Sequence, residues 1–441
     1  MSSVRTKQID AGGHPAPART AARAAVLAFF VDAFDIYLPV LVLAPAMGYF
    51  RPAGLGAGTT ALLGSLVFPA TLITRPLGAA VFGHLADTVG RKPATLTAVA
   101  GFGVVTLLIA ALPGAATLGV WSLVLLIALR AINGVFLGGE YTAAVPLALE
   151  WSPRERRGPL SGAILAGSPA AYATLAALSL VLLRSMPSAG PHSAYAQWGW
   201  RIPFLIGALI TVPLFVHYRR AVQEPPTART GPRARSPLVE LVSGAHRRRL
   251  LQVFVLMSGV WLVNTMVSAV LPGLLTSHVG LTATSTSLAM LVAALALVIA
   301  FPLCGALSQR VGRRPFYIGF GLLVAAGGST AYFAVLSVRA GLATTVALTA
   351  LVGLTQAAFG PVAAYLTELF PAPIRASGFG VGYTLALALP AFYVFYLDAL
   401  GGIVPPHVAP VVVVALGGVL IGIGGYLGPE TRDVDMTGAV S

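Results

Sequence analysis

Charged residues are scarce in this sequence. Only 10% of its 441 residues are Asp, Glu, Lys or Arg, whereas soluble domains carry about 25%. Hydrophobic residues make up 57%, and they fall in repeated runs of about twenty residues, the length at which an α-helix crosses a bilayer. The sequence therefore predicts an all-α integral membrane protein and excludes the soluble globular class.

Other absences limit the kinds of functional site that the sequence can contain. The single cysteine, Cys304, rules out an internal disulfide, and the seven histidines are too scattered to form a metal-ligand cluster. The phosphate-binding pattern GxxxxGK[ST] does not occur, so the sequence contains no recognisable ATP-driven motor. We therefore expect no metal, no cofactor and no catalytic residue, and a gradient as the energy source.

About twelve segments have the length and hydropathy of membrane-spanning helices. They lie at residues 24–48, 59–83, 94–112, 119–147, 159–183, 201–218, 250–275, 285–308, 317–337, 341–366, 376–397 and 408–428. A polar linker at 219–249 divides them into six-helix bundles at 24–218 and 250–428, flanked by tails at 1–23 and 429–441. We expect these two bundles to pack together within a monomer.

The basic residues predict how the spans are oriented. Of the 28 Lys and Arg residues, 22 fall in the two tails, the central linker or the loops on the same side as these. Basic residues in short loops stay on the cytoplasmic side, so both termini are predicted to be cytoplasmic. The same bias accounts for the formal net charge of +14 without a nucleic-acid partner.

The two halves contain an internal repeat. The stretch GHLADTVGRKP at 83–93 matches GALSQRVGRRP at 305–315 with an offset of 222 residues. A second pair, EWSPRERRG and ELFPAPIRASG, matches at an offset of 218. Duplicated halves are the architecture of secondary transporters.

These stretches resemble the signatures of a known family. GHLADTVGRK is similar to the loop between the second and third spans of the major facilitator superfamily. TRPLGAAVFGHLAD, RAINGVFLGGEYTAAVPLALEWSPRERRG, WGWRIPFLIG and LGPETRD resemble its metabolite:proton symporter branch. The resemblance implies a major facilitator fold, transport by alternating access, and a substrate that is a small organic acid or a zwitterion.

The charged loops are candidate gates on the linker side. Asp87 lies at the carboxyl end of a helix, where the dipole disfavours an anion, so it needs a partner. Its candidate partners are a neighbouring helix N-terminus and Arg91. The second half has Gln309 where the repeat would place an Asp, so no matching salt bridge is expected there. The predicted gating residues are Asp87, Arg91, Lys92, Glu150, Arg157, Arg313, Arg314, Glu368 and Arg375.

Two gating pairs are suggested by their spacing. Glu150 precedes Arg157 by seven residues, and Glu368 precedes Arg375 by the same distance. We expect each glutamate to pair with its arginine and to lock the bundles together. The alternative is that all these charges are solvated and only determine topology, in which case each pair contributes less than about 1 kcal/mol.

Few ionisable residues lie within the spans, where charges are unfavourable enough to be functional by default. Asp32 and Asp35 are three residues apart on one face of the first helix, and two carboxylates in a dry setting do not both ionise easily. We expect them to form a proton-carrying site with Arg130 and Glu140. Arg130 would pair alternately with a carboxylate and with an anionic substrate. The alternatives are a permanent ion pair for Arg130 and a closing contact for Glu140.

The substrate site is predicted from polar residues within the spans. Its candidates are Arg75, Arg130 and Asn133 in the first half and Asn264, Gln356 and Tyr383 in the second. Trp261, Tyr365 and Tyr393 are further neutral candidates, and packing is the alternative role for every neutral residue.

The sequence thus predicts a proton symporter in the cell membrane that imports a small organic acid or zwitterion. An exporter that exchanges drugs or metabolites for protons is the main alternative, followed by a sensor that binds a metabolite without moving it. The fifth span reads GAILAGSPAA and lacks the Gly-Pro-Gly-Gly pattern that resembles antiporters, which favours the symporter.

Overall fold

The structure is a computed structural model. It describes residues 16–52, 56–188, 190–223, 236–243, 245–337 and 341–436. Both tails and the central linker therefore lie partly outside the described residues.

Within these ranges, eleven helices are long and apolar enough to cross a membrane, and a twelfth span is a bent pair of helices. In chain order they are α1 Ala18–Phe50, α2 Ala57–Thr88, α3 Arg91–Ala111, α4 Val120–Glu150, α5 Arg154–Ser185, α6 Tyr195–Ala221, α7 His246–Ser277, α8 Ala283–Val311, α9 Arg313–Ser337, α10 Leu342–Leu369, α11 Ala372–Ala391 with Tyr393–Gly401, and α12 Ala409–Leu427. The predicted all-helical membrane fold is confirmed.

Several spans are not continuous α-helices, and a proline lies at or next to three of the breaks. The sequence predicts a single eleventh span at 376–397, whereas the structure bends it by 43° between Ala391 and Tyr393. Pro390 removes a backbone donor immediately before the bend. The first helix of each half contains a π-helical turn, at Pro39–Leu43 and at Met266–Val270. Residues of both π turns line the cavity, Val40 in α1 and Ser268 and Ala269 in α7.

Glycines let α2 and α4 pack with their backbones in contact. A Cβ atom on Gly134 would overlap Thr71, and one on Gly138 would overlap the carbonyl group of Arg75. The close approach allows Thr71 Oγ1 to donate a hydrogen bond to the carbonyl oxygen of Arg130, at 3.0 Å. This small-residue packing is the one expected for helices in lipid, and it holds Arg75 and Arg130 in adjacent helices.

The two halves meet at one end of the bundle, which we call the linker face because α6 ends and α7 begins there. A Cβ atom on Gly83 of α2 would overlap Ser377 of α11. On the other side of the bundle, α5 packs against α8 so closely that a Cβ atom on either Gly158 or Gly305 would overlap the carbonyl oxygen of the other. The linker face is therefore closed. Above it lies a cavity with about 1190 Å³ of space not filled by protein atoms.

Candidate functional site

One ion pair lines the cavity. Nη2 of Arg75 in α2 lies 3.1 Å from Oδ1 and 3.0 Å from Oδ2 of Asp32 in α1. Both side chains are buried, and the guanidinium of Arg75 also stacks over the ring of Tyr141, 5.0 Å from its centroid. Its Nε and Nη1 have no hydrogen-bond partner among the described residues. Arg75 therefore holds Asp32 with one nitrogen and has unused donors for another anion.

Asp35 belongs to a different cluster. Its Oδ2 accepts hydrogen bonds from Nη1 of Arg130 and Nδ2 of Asn133, each at 2.8 Å. Its Oδ1 accepts one from the hydroxyl of Thr106, also at 2.8 Å. All four side chains are buried, and none of them lines the cavity. The cluster joins α1, α3 and α4.

The two aspartates therefore do not share one site. Their spacing of three residues predicts that they share one helix face. Three residues of an α-helix nevertheless leave two side chains about 60° apart around the helix axis. That angle is enough to direct Asp32 to α2 and Asp35 to α3 and α4. Each carboxylate has its own arginine.

We expect the hydroxyl of Thr106 to contribute to stability and not to coupling. Thr106→Val keeps the side-chain shape but removes a hydrogen bond to a buried carboxylate, which is worth about 1.5–3 kcal/mol. The midpoint of thermal unfolding in detergent should fall, while proton-driven transport per folded molecule is retained. Thr95→Val is the matched control in the same helix, because the Thr95 hydroxyl bonds only to the carbonyl oxygen of Arg91 in its own helix. An equal loss in both variants would contradict the role assigned to Thr106.

Glu140 is buried in α4 and has no hydrogen-bond partner at either carboxyl oxygen in the described part of the chain. It lies ten residues after Arg130, close to three helical turns, and so on the same side of α4. The next residue, Tyr141, contacts the guanidinium of Arg75. The structure thus places an uncompensated carboxyl group next to the Asp32–Arg75 pair.

The second half contributes neutral residues to the cavity. Of the predicted neutral candidates, Trp261, Asn264, Gln356 and Tyr383 line it, whereas Tyr365 and Tyr393 do not. Trp261 Nε1 donates to the carbonyl oxygen of Tyr383 at 2.9 Å, and Ser268 donates to Oε1 of Gln356 at 3.1 Å. The amide of Asn264 and the hydroxyl of Tyr383 are polar groups on this wall for which no hydrogen bond is assigned within the described ranges.

Sequence reasoning missed three polar contributors. Tyr37 of α1 and Ser168 of α5 line the cavity, and their hydroxyl oxygens are 3.4 Å apart. Thr106 completes the Asp35 cluster. A serine or threonine hydroxyl in an apolar helix usually bonds to a carbonyl oxygen of its own helix, so nothing in the sequence distinguishes Thr106 and Ser168 from the other serines and threonines of the spans, or Tyr37 from the other tyrosines.

A network of charges closes the linker face on the α2–α11 side. Oδ1 and Oδ2 of Asp87 accept hydrogen bonds from the backbone nitrogens of Ala376 and Ser377 in α11, at 3.1 and 2.8 Å. Asp87 also pairs with Nη1 of Arg91 at 2.9 Å. Both partners considered from the sequence are thus present. Because Ala376 and Ser377 belong to the second half, this carboxylate joins the two bundles.

The pairing of the glutamates differs from the expected one. Glu150 pairs with Arg91 at 2.7 Å and with Arg375 of the second half at 2.8 Å, whereas Nη1 of Arg157 bonds to the carbonyl oxygen of Val434. The expected pair of Glu150 with Arg157 is therefore wrong. The expected pair of Glu368 with Arg375 is also wrong, because Arg375 pairs with Glu150 and Glu368 pairs with Arg313.

The α5–α8 side of the linker face has an equivalent arrangement, with a neutral residue in place of Asp87. Arg313 pairs with Glu368 at 3.1 Å, as Arg91 pairs with Glu150. Gln309 stands in the place of Asp87, and its Oε1 accepts hydrogen bonds from the backbone nitrogen of Gly158 at 3.0 Å and from Arg313 at 2.7 Å. No salt bridge joins the halves through Gln309, as the sequence predicts. Arg314 lies outside this contact and stacks over Tyr426.

Metal ligands do not cluster anywhere in the described ranges, since no group of three or more His, Cys, Asp or Glu side chains is placed to hold an ion.

Comparisons with known proteins agree with this geometry. The model of the Major Facilitator Superfamily matches residues 25–272 and 253–435. The chain is 28% identical over 407 residues to an inner membrane metabolite transport protein, YhjE, of Escherichia coli K12, with 85% of this chain and 86% of the relative covered. It is 30% identical over 374 residues to the alpha-ketoglutarate permease of the same organism, covering 81% and 82%. The shikimate transporter of that organism is 29% identical over 395 residues, covering 84% of each chain.

The fold is also similar to solved structures. The structure of the proton:xylose symporter XylE superimposes with a TM-score of 0.76 at 16% identity, covering 96% of this chain and 99% of that one.

Proposed function

The chain belongs to the major facilitator superfamily, and we propose that it takes up a small monocarboxylate together with a proton. It is a multi-pass membrane transporter and not an enzyme. The observation that carries the proposal is the Asp32–Arg75 ion pair in the wall of a cavity between the two halves. Related chains named as proton symporters, such as a citrate-proton symporter of Klebsiella pneumoniae at 27% identity, support the coupling to a proton.

Charge balance in the cavity explains why proton and substrate would move together. In the empty carrier Asp32 and Arg75 neutralise each other. Protonation of Asp32 frees Arg75, and the substrate carboxylate then takes the place of the Asp32 carboxylate on the guanidinium. Either ligand alone leaves one uncompensated charge at membrane depth, which is unfavourable by several kcal/mol. Only the empty and the doubly loaded carriers are neutral and free to change conformation.

Asp32 is the proposed proton carrier, in preference to Asp35. Asp35 has three donors from two other helices and no access to the cavity. Arg130 and Asn133 are therefore proposed to hold α1 against α3 and α4, and not to bind substrate. Glu140 is the second candidate for carrying a proton, because neither of its buried carboxyl oxygens has a hydrogen-bond partner among the described residues.

The lining of the cavity supports a substrate with one carboxylate and an apolar body. Arg75 is the single basic residue and Asp32 the single acidic residue that line it within the described ranges. Most other lining residues are apolar or aromatic, among them Phe29, Tyr172, Trp261, Phe359 and Tyr383. A second or third carboxylate would have no cation to pair with, whereas an aromatic or aliphatic ring would contact these walls.

The alternating-access step is proposed to open the linker face by breaking the Asp87 and Glu150 contacts. We place this face on the cytoplasmic side, since the linker and loops there are rich in arginine and lysine. The cavity would then open toward the opposite side in the state described here and toward the cytoplasm after the transition.

A transport screen in proteoliposomes tests the substrate class. With an imposed pH gradient and an internal pH dye, aromatic and alicyclic monocarboxylates are compared with betaines, 2-oxoglutarate and citrate. We expect uptake of at least one monocarboxylate, acidifying the interior, at about tenfold or more greater apparent affinity than the di- and tricarboxylates, because one unpaired buried charge costs more than the 1.4 kcal/mol of a tenfold change.

Each other result has a distinct meaning. Preference for citrate or 2-oxoglutarate would contradict the substrate class but keep symport. Proton movement opposite to the substrate would contradict symport and favour the exporter.

A further inference from the structure

A groove on the linker face is separate from the transport cavity. It lies between the beginning of α1 and the beginning of α5 and has about 850 Å³ of space not filled by protein atoms. Its basic lining residues are Arg19, Arg23 and Arg156, and its other lining residues are Ala18, Ala22, Ser152, Pro159, Leu160 and Ala163. Three guanidinium groups thus surround a mostly apolar floor.

These three arginines lack a counter-charge within the described residues. None of them forms a salt bridge, whereas Arg154, which is close in sequence but does not line the groove, lies within ion-pair distance of Glu155 and Asp433. Like charges that line one groove repel each other and create a positive potential. The groove therefore favours an anion.

Its position indicates which anion. The apolar part of α1 follows Arg23, so the groove at the start of this span lies near the membrane boundary. Arg19, Arg23 and Leu27 follow one another at intervals of four residues, and all three are exposed. This stripe passes from two cations to an apolar side chain in the direction of the membrane interior, which is the order of groups in a phospholipid. A soluble anion would bind the arginines but would leave Leu27 without a contact.

We propose that this groove binds an anionic phospholipid, with its phosphate on Arg19, Arg23 and Arg156 and an acyl chain along Leu27. Basic pockets between the ends of membrane helices bind such head groups through charge and bidentate hydrogen bonds. The inference does not depend on the transported substrate.

Native mass spectrometry of the full chain in detergent tests this proposal. Dioleoyl phosphatidylglycerol is titrated against dioleoyl phosphatidylcholine, which has the same acyl chains. The test variant carries Arg19→Gln, Arg23→Gln and Arg156→Gln. The control carries Arg154→Gln, Arg219→Gln and Arg220→Gln, which remove the same charge from exposed positions outside the groove.

We expect the wild type and the control to retain phosphatidylglycerol in preference to phosphatidylcholine. The test variant should bind it about a hundredfold more weakly, since each basic residue near a membrane surface contributes about fivefold. The single variants Arg23→Gln and Arg156→Gln should each lose about fivefold, which keeps the test available if the triple variant unfolds.

Three results would overturn the proposal. They are unchanged phosphatidylglycerol binding in the test variant, an equal loss in the control, and displacement of the lipid by millimolar inorganic phosphate. The last result would identify a site for free phosphate.

Discussion

Asp32→Asn is expected to abolish proton-driven accumulation while leaving substrate exchange intact. Asparagine imitates the protonated aspartate, so Arg75 stays free to bind the substrate carboxylate, and the loaded carrier remains neutral. The empty variant, however, contains an unpaired buried arginine, which is unfavourable by about 3–5 kcal/mol. If that penalty falls on the conformational change, the return of the empty carrier slows by more than about a hundredfold. Net uptake and counterflow in the same proteoliposomes measure the two activities.

Asp35→Asn is the matched control for this experiment. It changes the same residue type one turn further along α1, but in the cluster that does not line the cavity. We expect it to lower thermal stability and to leave coupling to the pH gradient in the molecules that fold. Continued pH-driven accumulation by Asp32→Asn would contradict the proposed proton carrier. The same loss of uptake with retained exchange in Asp35→Asn would transfer that role to Asp35.

The sequence was sufficient to predict the fold because both of its signals are local or periodic. Apolar runs of membrane length and the 222-residue repeat do not depend on how helices pack. The repeat also has a structural counterpart that was not foreseen: the Arg91–Glu150 contact and the Arg313–Glu368 contact occupy equivalent positions.

The sequence predicts which charged residues lie on the linker face better than it predicts which residues they pair with. Glu150 was assigned to Arg157 from their spacing along the chain, but its second partner is Arg375, which the docking of the two halves brings to it. The different partners of Asp32 and Asp35 also depend on how the helices pack. They are determined by which neighbouring helix faces each side of α1, and a single sequence does not show this.

Asp87→Asn is expected to shift the carrier toward the state in which the linker face is open. The carboxylate accepts two backbone hydrogen bonds from the amino-terminal turn of α11 in addition to its pair with Arg91. Asparagine has one acceptor oxygen and no charge to interact with the helix dipole. Losing one such charged hydrogen bond costs about 1.5–3 kcal/mol, which corresponds to a shift of the conformational equilibrium by about 10- to 150-fold.

Alkylation of a buried cysteine measures this shift. In a Cys304→Ser background, Ala143→Cys places a thiol in the cluster of Ala86, Ala94 and Ala376, which is buried in this closed state and which we expect to become accessible when the linker face opens. Asp87→Asn should accelerate its alkylation by about the same factor as the equilibrium shifts. Gln309→Ala is the matched control, because it removes the neutral, repeat-related contact to Gly158, which is worth about 0.5–1.5 kcal/mol. An unchanged rate in Asp87→Asn, or a larger increase in Gln309→Ala, would show that the charge on Asp87 is not what holds the two halves together. Comparing the alkylation rates of the two variants therefore tests what keeps the linker face closed. The repeats differ there, with a carboxylate at position 87 and an amide at position 309, and a larger effect of Asp87→Asn would show that this difference matters.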